Sequence, residues 1–238
     1  MSNLNELATP IVRVQTPSAL DALCATLTAQ TAIAVDTEAD SLFSYFEKVC
    51  LLQFSTREAD FIVDPLAFAA TTDGIAALAP VFANARIEKV FHAAEYDILC
   101  LKRDYRFTFA HIFDTMIAAR ILGWKNYGLG NTLQERFGVA LNKKMQRADW
   151  GHRPLSAEQI AYAREDTHYL LRLRDVQMEE LMSRGRVEEA REEFERLTRV
   201  EPAPRRFDPD AYWNITGARD LNPAQLGILR ELYRFRDA

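Results

Sequence analysis

The chain has 238 residues, 48% hydrophobic and 26% charged, enough for one sizeable globular core and a small appendage. Nowhere does an apolar run approach the roughly eighteen residues that a membrane helix needs, so no membrane partner is expected. A net charge of −5 argues against a broad phosphate-binding surface, though not against a site where metal ions supply the positive charge. The start, Met1-Ser-Asn-Leu-Asn-Glu, lacks a basic region and an apolar run, so no secretory leader is expected. Cys24, Cys50 and Cys100 are odd in number and far apart, which suits reduced thiols in a cytoplasmic protein better than disulfides or a zinc site.

In chain order, Thr16-Pro17-Ser18 reads as a helix cap, with the helix running to about residue 29. Residues 32–38 form a short apolar strand that ends in acids. Residues 48–55 and 60–64 read as two more strands in a hairpin beside it, and Pro65 ends the second. A helix over 74–83, a strand over 89–92 and a helix over 95–103 follow. Residues 112–114 lead into a helix reaching 122, Gly128-Leu-Gly130 reads as a turn, and 132–137 as helical. Residues 140–155 read as a loop. One long helix is expected from Ser156, where Ser156-x-x-Gln159 matches a capping box, and a densely charged helix spans 187–199. Residues 201–211 are a proline-rich linker, and a last helix starts at Asn222-Pro223. This order indicates an α/β domain on a mixed sheet, with a short helical tail.

Asp36 and Glu38 stand two apart on a strand and therefore project to one face. Two neighbouring acids repel unless a proton or a cation relieves them, and hard divalent ions prefer such oxygen ligands. Asp97 falls early in a helix, a place the helix dipole also favours for an acid. Tyr162 and Asp166, four apart, share one helix face. Taken singly, each of these is ordinary: strand-end acids, a dipole partner, an exposed helical pair.

As an ordered set, Asp36, Glu38, Asp97 and Asp166 with Tyr162 resemble the DEDD 3′→5′ exonucleases, in the subclass with tyrosine in the final motif. Val35-Asp-Thr-Glu38, Cys50-Leu-Leu-Gln-Phe-Ser55, Phe91-His-Ala-Ala-Glu-Tyr-Asp97 and Phe113-Asp-Thr-Met116 resemble ribonuclease D. So do Asp149-Trp150 with Arg153-Pro-Leu155, and Tyr162-Ala-Arg-Glu-Asp-Thr-His-Tyr-Leu-Leu171; the likeness covers about residues 11–180. The histidine variant of the family would carry its His at position 161, which is Ala161 here.

The resemblance implies a ribonuclease H-like mixed β-sheet flanked by helices. It implies a metal-dependent 3′→5′ exoribonuclease that releases nucleoside 5′-monophosphates from the 3′ ends of single-stranded RNA, in processing or turnover of tRNA precursors or other small RNAs. Two divalent ions, Mg²⁺ or Mn²⁺, would be its cofactors. Asp36 would bridge them, Glu38 and Asp166 would complete one site, and Asp97 would support the other. Tyr162 would orient the attacking water, since an unperturbed phenol is a poor base at neutral pH. A DNA exonuclease of the same family is one alternative. A non-catalytic RNA-binding protein is another, although such a protein should have lost one of the acids.

For nucleic-acid contacts, Lys143, Lys144, Arg147 and Arg153 surround Trp150 in a basic, aromatic-bearing loop that could hold the substrate strand. Equally, Trp150 could pack in the core and Arg153 pair with an acid. Lys125, beside Tyr127, and His92 are further candidates; His92 could instead close its strand with a structural hydrogen bond. The expected organisation is a nuclease domain over 1–200, the linker over 201–211 and a tail over 212–238. That tail, from Trp213-Asn-Ile-Thr-Gly-Ala-Arg to Leu229-Arg-Glu-Leu-Tyr-Arg-Phe-Arg236, resembles the beginning of an HRDC domain, with one substantial helix where a complete module has several.

Overall fold

The structure, a computed structural model, describes residues 9–68 and 74–237; the Met1–Glu6 stretch behind the leader expectation lies outside them. The chain divides into two compact units, residues up to Pro202 and residues from Ala203 onward. Among the described residues no helix is long and apolar enough to cross a membrane.

Among the described residues the first unit has six strands: β1 (Ile11–Val14), β2 (Ala32–Ala39), β3 (Val49–Ser55), β4 (Asp60–Val63), β5 (Glu88–Phe91) and β6 (Ile112–Asp114). They lie in the order β1-β4-β3-β2-β5-β6. β2, β3 and β4 pair antiparallel, as the expected hairpin requires, while β1, β5 and β6 add in parallel to β4, β2 and β5. The sheet is therefore mixed. β3 is buried along its whole length because both of its faces are covered. β1 is absent from the sequence reading for a physical reason: three of its four side chains are exposed, so no alternation marks it, and only pairing with β4 makes it a strand.

Alternation along β2 and β3 feeds two cores. On one face Val35, Leu52 and Phe54 pack with Leu23 and Leu27 of α1 (Pro17–Thr28), Phe82 of α2 (Ala79–Ala83) and Ile98 and Leu101 of α3 (Glu95–Tyr105). On the other lie α4 (Thr115–Ile121), α5 (Leu129–Phe137), α6 (Ala157–His168), α7 (Leu170–Ser183) and α8 (Val187–Thr198). There Ala34, Val90 and Phe113 meet Ala118, Leu173 and Phe194, while Leu51 and Ile62 meet Trp150, Ile160 and Ala163.

Several boundaries differ from the sequence reading. The helix expected over 74–83 is a 3₁₀ turn at Ala76–Leu78 followed by α2, because Pro80 suits a first turn but would clash with a carbonyl one turn earlier in a longer helix. Gly128 caps α5, so Leu129 and Gly130 are helical rather than a turn. A 3₁₀ turn at Lys143–Met145 interrupts the expected loop. The expected long helix is two, broken at Tyr169: α6 covers β3 and β4 and α7 covers β2 and β5, and one straight helix cannot follow both pairs across a twisted sheet.

In the second unit, residues 203–208 carry no regular structure, 3₁₀ turns occur at Ala211–Asn214 and Ala218–Asp220, and α9 spans Pro223–Asp237. Asn222 and Gln225 cap α9 reciprocally, each side-chain oxygen accepting from the other's backbone N–H at 3.0 Å.

Asp114 joins strand ends to helix starts. Its carboxylate accepts from Met116 and Ile117 at the start of α4 and from the backbone of Ala93 and Ala94 ahead of α3. Ala93 has a φ of 65°, which that grip stabilises. Asp114→Ala is expected to cost about 2–4 kcal/mol in urea unfolding, since buried backbone donors lose their acceptor, and Asp114→Asn about half as much.

Candidate active site

Four acids meet at the end of β2. Asp36 pairs across the ladder with Gln53 and Glu38 with Leu51, and a register shift between Glu38 and Ala39 bends the strand end. Both acids project towards α6, which is pinned on the sheet by Ile160 and Ala163 against Leu51 and Ile62. Arg164 adds a 2.7 Å hydrogen bond to the buried Asp60. Asp166 thereby joins the pair: one carboxylate oxygen each from Asp36, Glu38 and Asp166 lies within 4.8 Å of the others, the one such group among the described residues. Thr37 points to the opposite face, where its hydroxyl donates at 2.5 Å to Asp97 in the first turn of α3. Asp97 is only 6% exposed. The strand end is thus held between a helix on each face, and acids approach it from both.

Burial, and then mutual repulsion, govern the protonation of this cluster. Burial and the charge of Asp166 raise Asp36 well above the carboxylate range. Glu38 is pushed up to about 10 by burial and then by Asp36, Asp166 and Asp97. Burial, with Asp36 beside it, raises Asp97 well above its usual value. Asp166 reaches about 7 through burial and Glu165, although a hydrogen bond from Tyr162 favours its charged form. Tyr162, half-buried among these acids, is raised well above an ordinary phenol and remains a donor. Neighbouring cations are engaged elsewhere: Arg164 on Asp60, Arg153 on Asp64 and Lys48 on Asp40. A crowded set of hard oxygen donors with no fixed counter-charge fits a divalent cation.

The acids line a cleft of about 540 Å³, shared by His92, Lys143 and Trp150 from the sequence candidates. His92 Nδ1 donates at 2.8 Å to the Thr115 hydroxyl, which itself donates to the Phe91 carbonyl, so Nε2 is the acceptor nitrogen. Burial lowers this imidazole to about 4, leaving it neutral at pH 7. Trp150 is 2% exposed, its ring packed with Leu51, Ile160 and Ala163, so its face is closed to a stacking base. Its Nε1–H has no partner among the described residues. Arg153 turns inward, with a bidentate pair to Asp64 and further hydrogen bonds to the Cys50 and Trp150 carbonyls. For these two residues the packed alternative is the one the fold adopts. Lys125, Lys144 and Arg147 are exposed and outside the cleft lining.

Sequence reasoning passed over Thr37, Gln53, Leu42 and Tyr96. Thr37 sits between two acids, so alternation alone could have aimed it at the opposite face. Leu42 and Tyr96 line the cleft with exposed apolar surface, and Tyr96 directly precedes Asp97.

The family described as 3′-5′ exonuclease matches the chain over residues 11–182. The chain is 37% identical over 233 residues to the exosome complex component 10 homolog of Caenorhabditis elegans, a match covering 96% of this chain and 26% of that protein. It thus spans about a quarter of that relative's length. Among solved structures, the catalytic core of RRP6 from Trypanosoma brucei superposes with a TM-score of 0.84 at 35% identity, covering all of this chain and 67% of that one. Escherichia coli RNase D, an exoribonuclease involved in structured RNA processing, gives 0.69 at 28% identity, covering 94% of this chain and 58% of that one.

The raised carboxyl groups set a pH dependence. Glu38 moves from 4.5 to about 10 and Asp166 from 3.8 to about 7 on folding. The folded, metal-free protein therefore binds more protons than the unfolded chain across that range, and its stability must fall as pH rises through it. The urea midpoint of chelator-treated protein is expected to drop steadily between about pH 5 and 9. Excess Mg²⁺ should offset the loss, and Glu38→Gln should flatten it. A midpoint that rises with pH in this window would contradict the assignment.

Proposed function

This chain belongs to the 3′-5′ exonuclease family, as a ribonuclease D-like member of the DEDD superfamily, and from that premise we propose that it is a divalent-metal-dependent 3′→5′ exoribonuclease. The observation that carries the proposal is the carboxylate trio of Asp36, Glu38 and Asp166 within 4.8 Å on the floor of a cleft. The substrate is the 3′ end of single-stranded RNA, from tRNA precursors or other small RNAs, and the products are nucleoside 5′-monophosphates.

Asp36 would bridge two divalent cations, Mg²⁺ or Mn²⁺; Glu38 and Asp166 would complete one site, and Asp97, steadied by Thr37, would support the other. When bound, such cations neutralise the phosphate, activate the attacking water and ease departure of the leaving oxygen. The protein's own groups do the aligning. Tyr162 keeps its proton and gives it to Asp166 in a hydrogen bond, so it would orient the water through its phenolic oxygen and is not the base. Glu38 contacts the terminal 3′-hydroxyl, which directs cleavage to the end. His92 Nε2 offers an acceptor along the strand, while Lys143 supplies one positive charge at the rim. Lys125, Lys144 and Arg147 contribute through the exposed approach rather than the cleft.

We further propose the organisation set out from the sequence, a nuclease domain over 1–200, a linker over 201–211 and a tail over 212–238 that begins an HRDC-like module. Three free cysteines support a reducing, cytoplasmic setting.

The test uses matched 5′-labelled single-stranded RNA and DNA with Mg²⁺, Mn²⁺ or chelator. RNA is expected to shorten stepwise from its 3′ end, only with metal and not with Asp36→Ala. Equal or faster loss of DNA would move the enzyme to DNA; intact substrates that are still bound would make it a binding protein. Tyr162→Phe is expected to lower the rate by about 10²-fold with metal binding retained, and an unchanged rate would remove the phenol from the mechanism.

A further inference from the structure

Gln53 lies within β3 with 0% exposure, and among the described residues neither its Oε1 nor its Nε2 has a hydrogen-bond partner. An unpaired buried carboxamide is costly, and native folds keep few of them without reason. The neighbours of Gln53 along β3 are Leu52 and Phe54, so an apolar residue would suit the strand better.

Register shows what this side chain faces. Gln53 is directly opposite Asp36 across the β2–β3 ladder, and opposed side chains share a face. Leu51 and Ser55, two residues to either side, share it too. Both touch α6: Leu51 clusters with Ile160 and Ala163, and the Ser55 and Thr167 hydroxyls are 2.7 Å apart. Between those contacts runs the turn of α6 that carries Asp166. On the other flank, the ladder neighbour of Gln53 on β4 is the apolar Ile62. Ser55 is already committed, donating to Asp60 at 2.7 Å. The acids on this face are Asp36, its ladder partner, and Asp166, on the turn of α6 between those contacts.

Building on the nuclease reading, we infer that Gln53 is a positioning residue whose carboxamide, opposite Asp36 across the ladder, serves as the neutral donor that steadies Asp36 and Asp166 as they turn to receive a divalent cation. A ligating carboxylate turns one oxygen to the metal and needs donors for its remaining lone pairs. A lysine or arginine could supply them, but its fixed charge would compete with the cation. A neutral amide donates and leaves the full negative charge to the ion.

The experiment measures Mn²⁺ affinity of the full chain by calorimetry, for wild type, Gln53→Met, Gln53→Glu and Asp36→Asn, beside urea unfolding without metal. Gln53→Met is expected to unfold at the same or a higher urea concentration, because an orphaned polar group has gone, yet to bind Mn²⁺ about 10–100-fold more weakly. Unaltered Mn²⁺ affinity with lower stability would overturn the inference and make Gln53 merely structural. If Gln53→Met does not fold, Gln53→Glu decides: a third carboxyl facing this pair must raise the pH of half-maximal Mn²⁺ binding, and an unchanged pH profile overturns the inference. Wild type failing to bind Mn²⁺, or Asp36→Asn binding it equally well, would overturn the nuclease reading itself and this inference with it.

Discussion

Four carboxylates gathered at the end of one half-buried strand repel one another, and the fold has to contain that repulsion before it can use it. Asp36 and Glu38 are fixed by the backbone of β2 and cannot separate. Asp166 and Asp97 come from helices that would drift apart if packing allowed. On one side α6 is riveted by Ile160, Ala163 and the Arg164–Asp60 pair, and on the other Thr37 ties Asp97 to the same strand. The strain is electrostatic, so a bound cation can discharge it.

Buried acids elsewhere in the molecule make the contrast. Asp60 is 1% exposed, yet hydrogen bonds from His168, Thr9 and Ser55 outweigh burial and hold its carboxyl below the usual range. Asp64 is held down in the same way by Arg153, and Glu88 by His111 and Arg174. Every one of these structural acids has its own donor or cation. The cluster at β2 has Thr37 and Tyr162 as neutral donors and no fixed positive charge, which is how a site awaiting a metal differs from a buried ion pair.

The same economy runs through the cleft. Its wall carries a neutral histidine and a protonated phenol, with Lys143 as the cation on its rim. Under the proposed function, a chain of net charge −5 would leave the positive charge that an RNA phosphate requires to bound cations rather than to the protein. An acidic protein and a polyanionic substrate would then be compatible, with cations and neutral donors in the cleft and a few basic side chains at its rim and approach.

Whatever rests on neighbours in the chain could be read directly from the residues. Spacing of two put Asp36 and Glu38 on one face, spacing of four put Tyr162 and Asp166 on another, and Ser156-x-x-Gln159 marked a helix start that the structure caps in that way. The hairpin and the mixed sheet followed from apolar runs and their punctuation. Features that depend on residues far apart had no local signature. β1 exists only because β4 pairs with it, and the break at Tyr169 exists because two helices must follow a twisted sheet. The inward turn of Arg153 to Asp64, the closing of Trp150's face and the setting of Gln53 behind Asp36 are products of register and packing. A sequence fixes which groups can donate, accept or ionise; only the assembled sheet and helices decide which of them meet, because charge and hydrogen bonding act across a few ångströms of space and not along the chain.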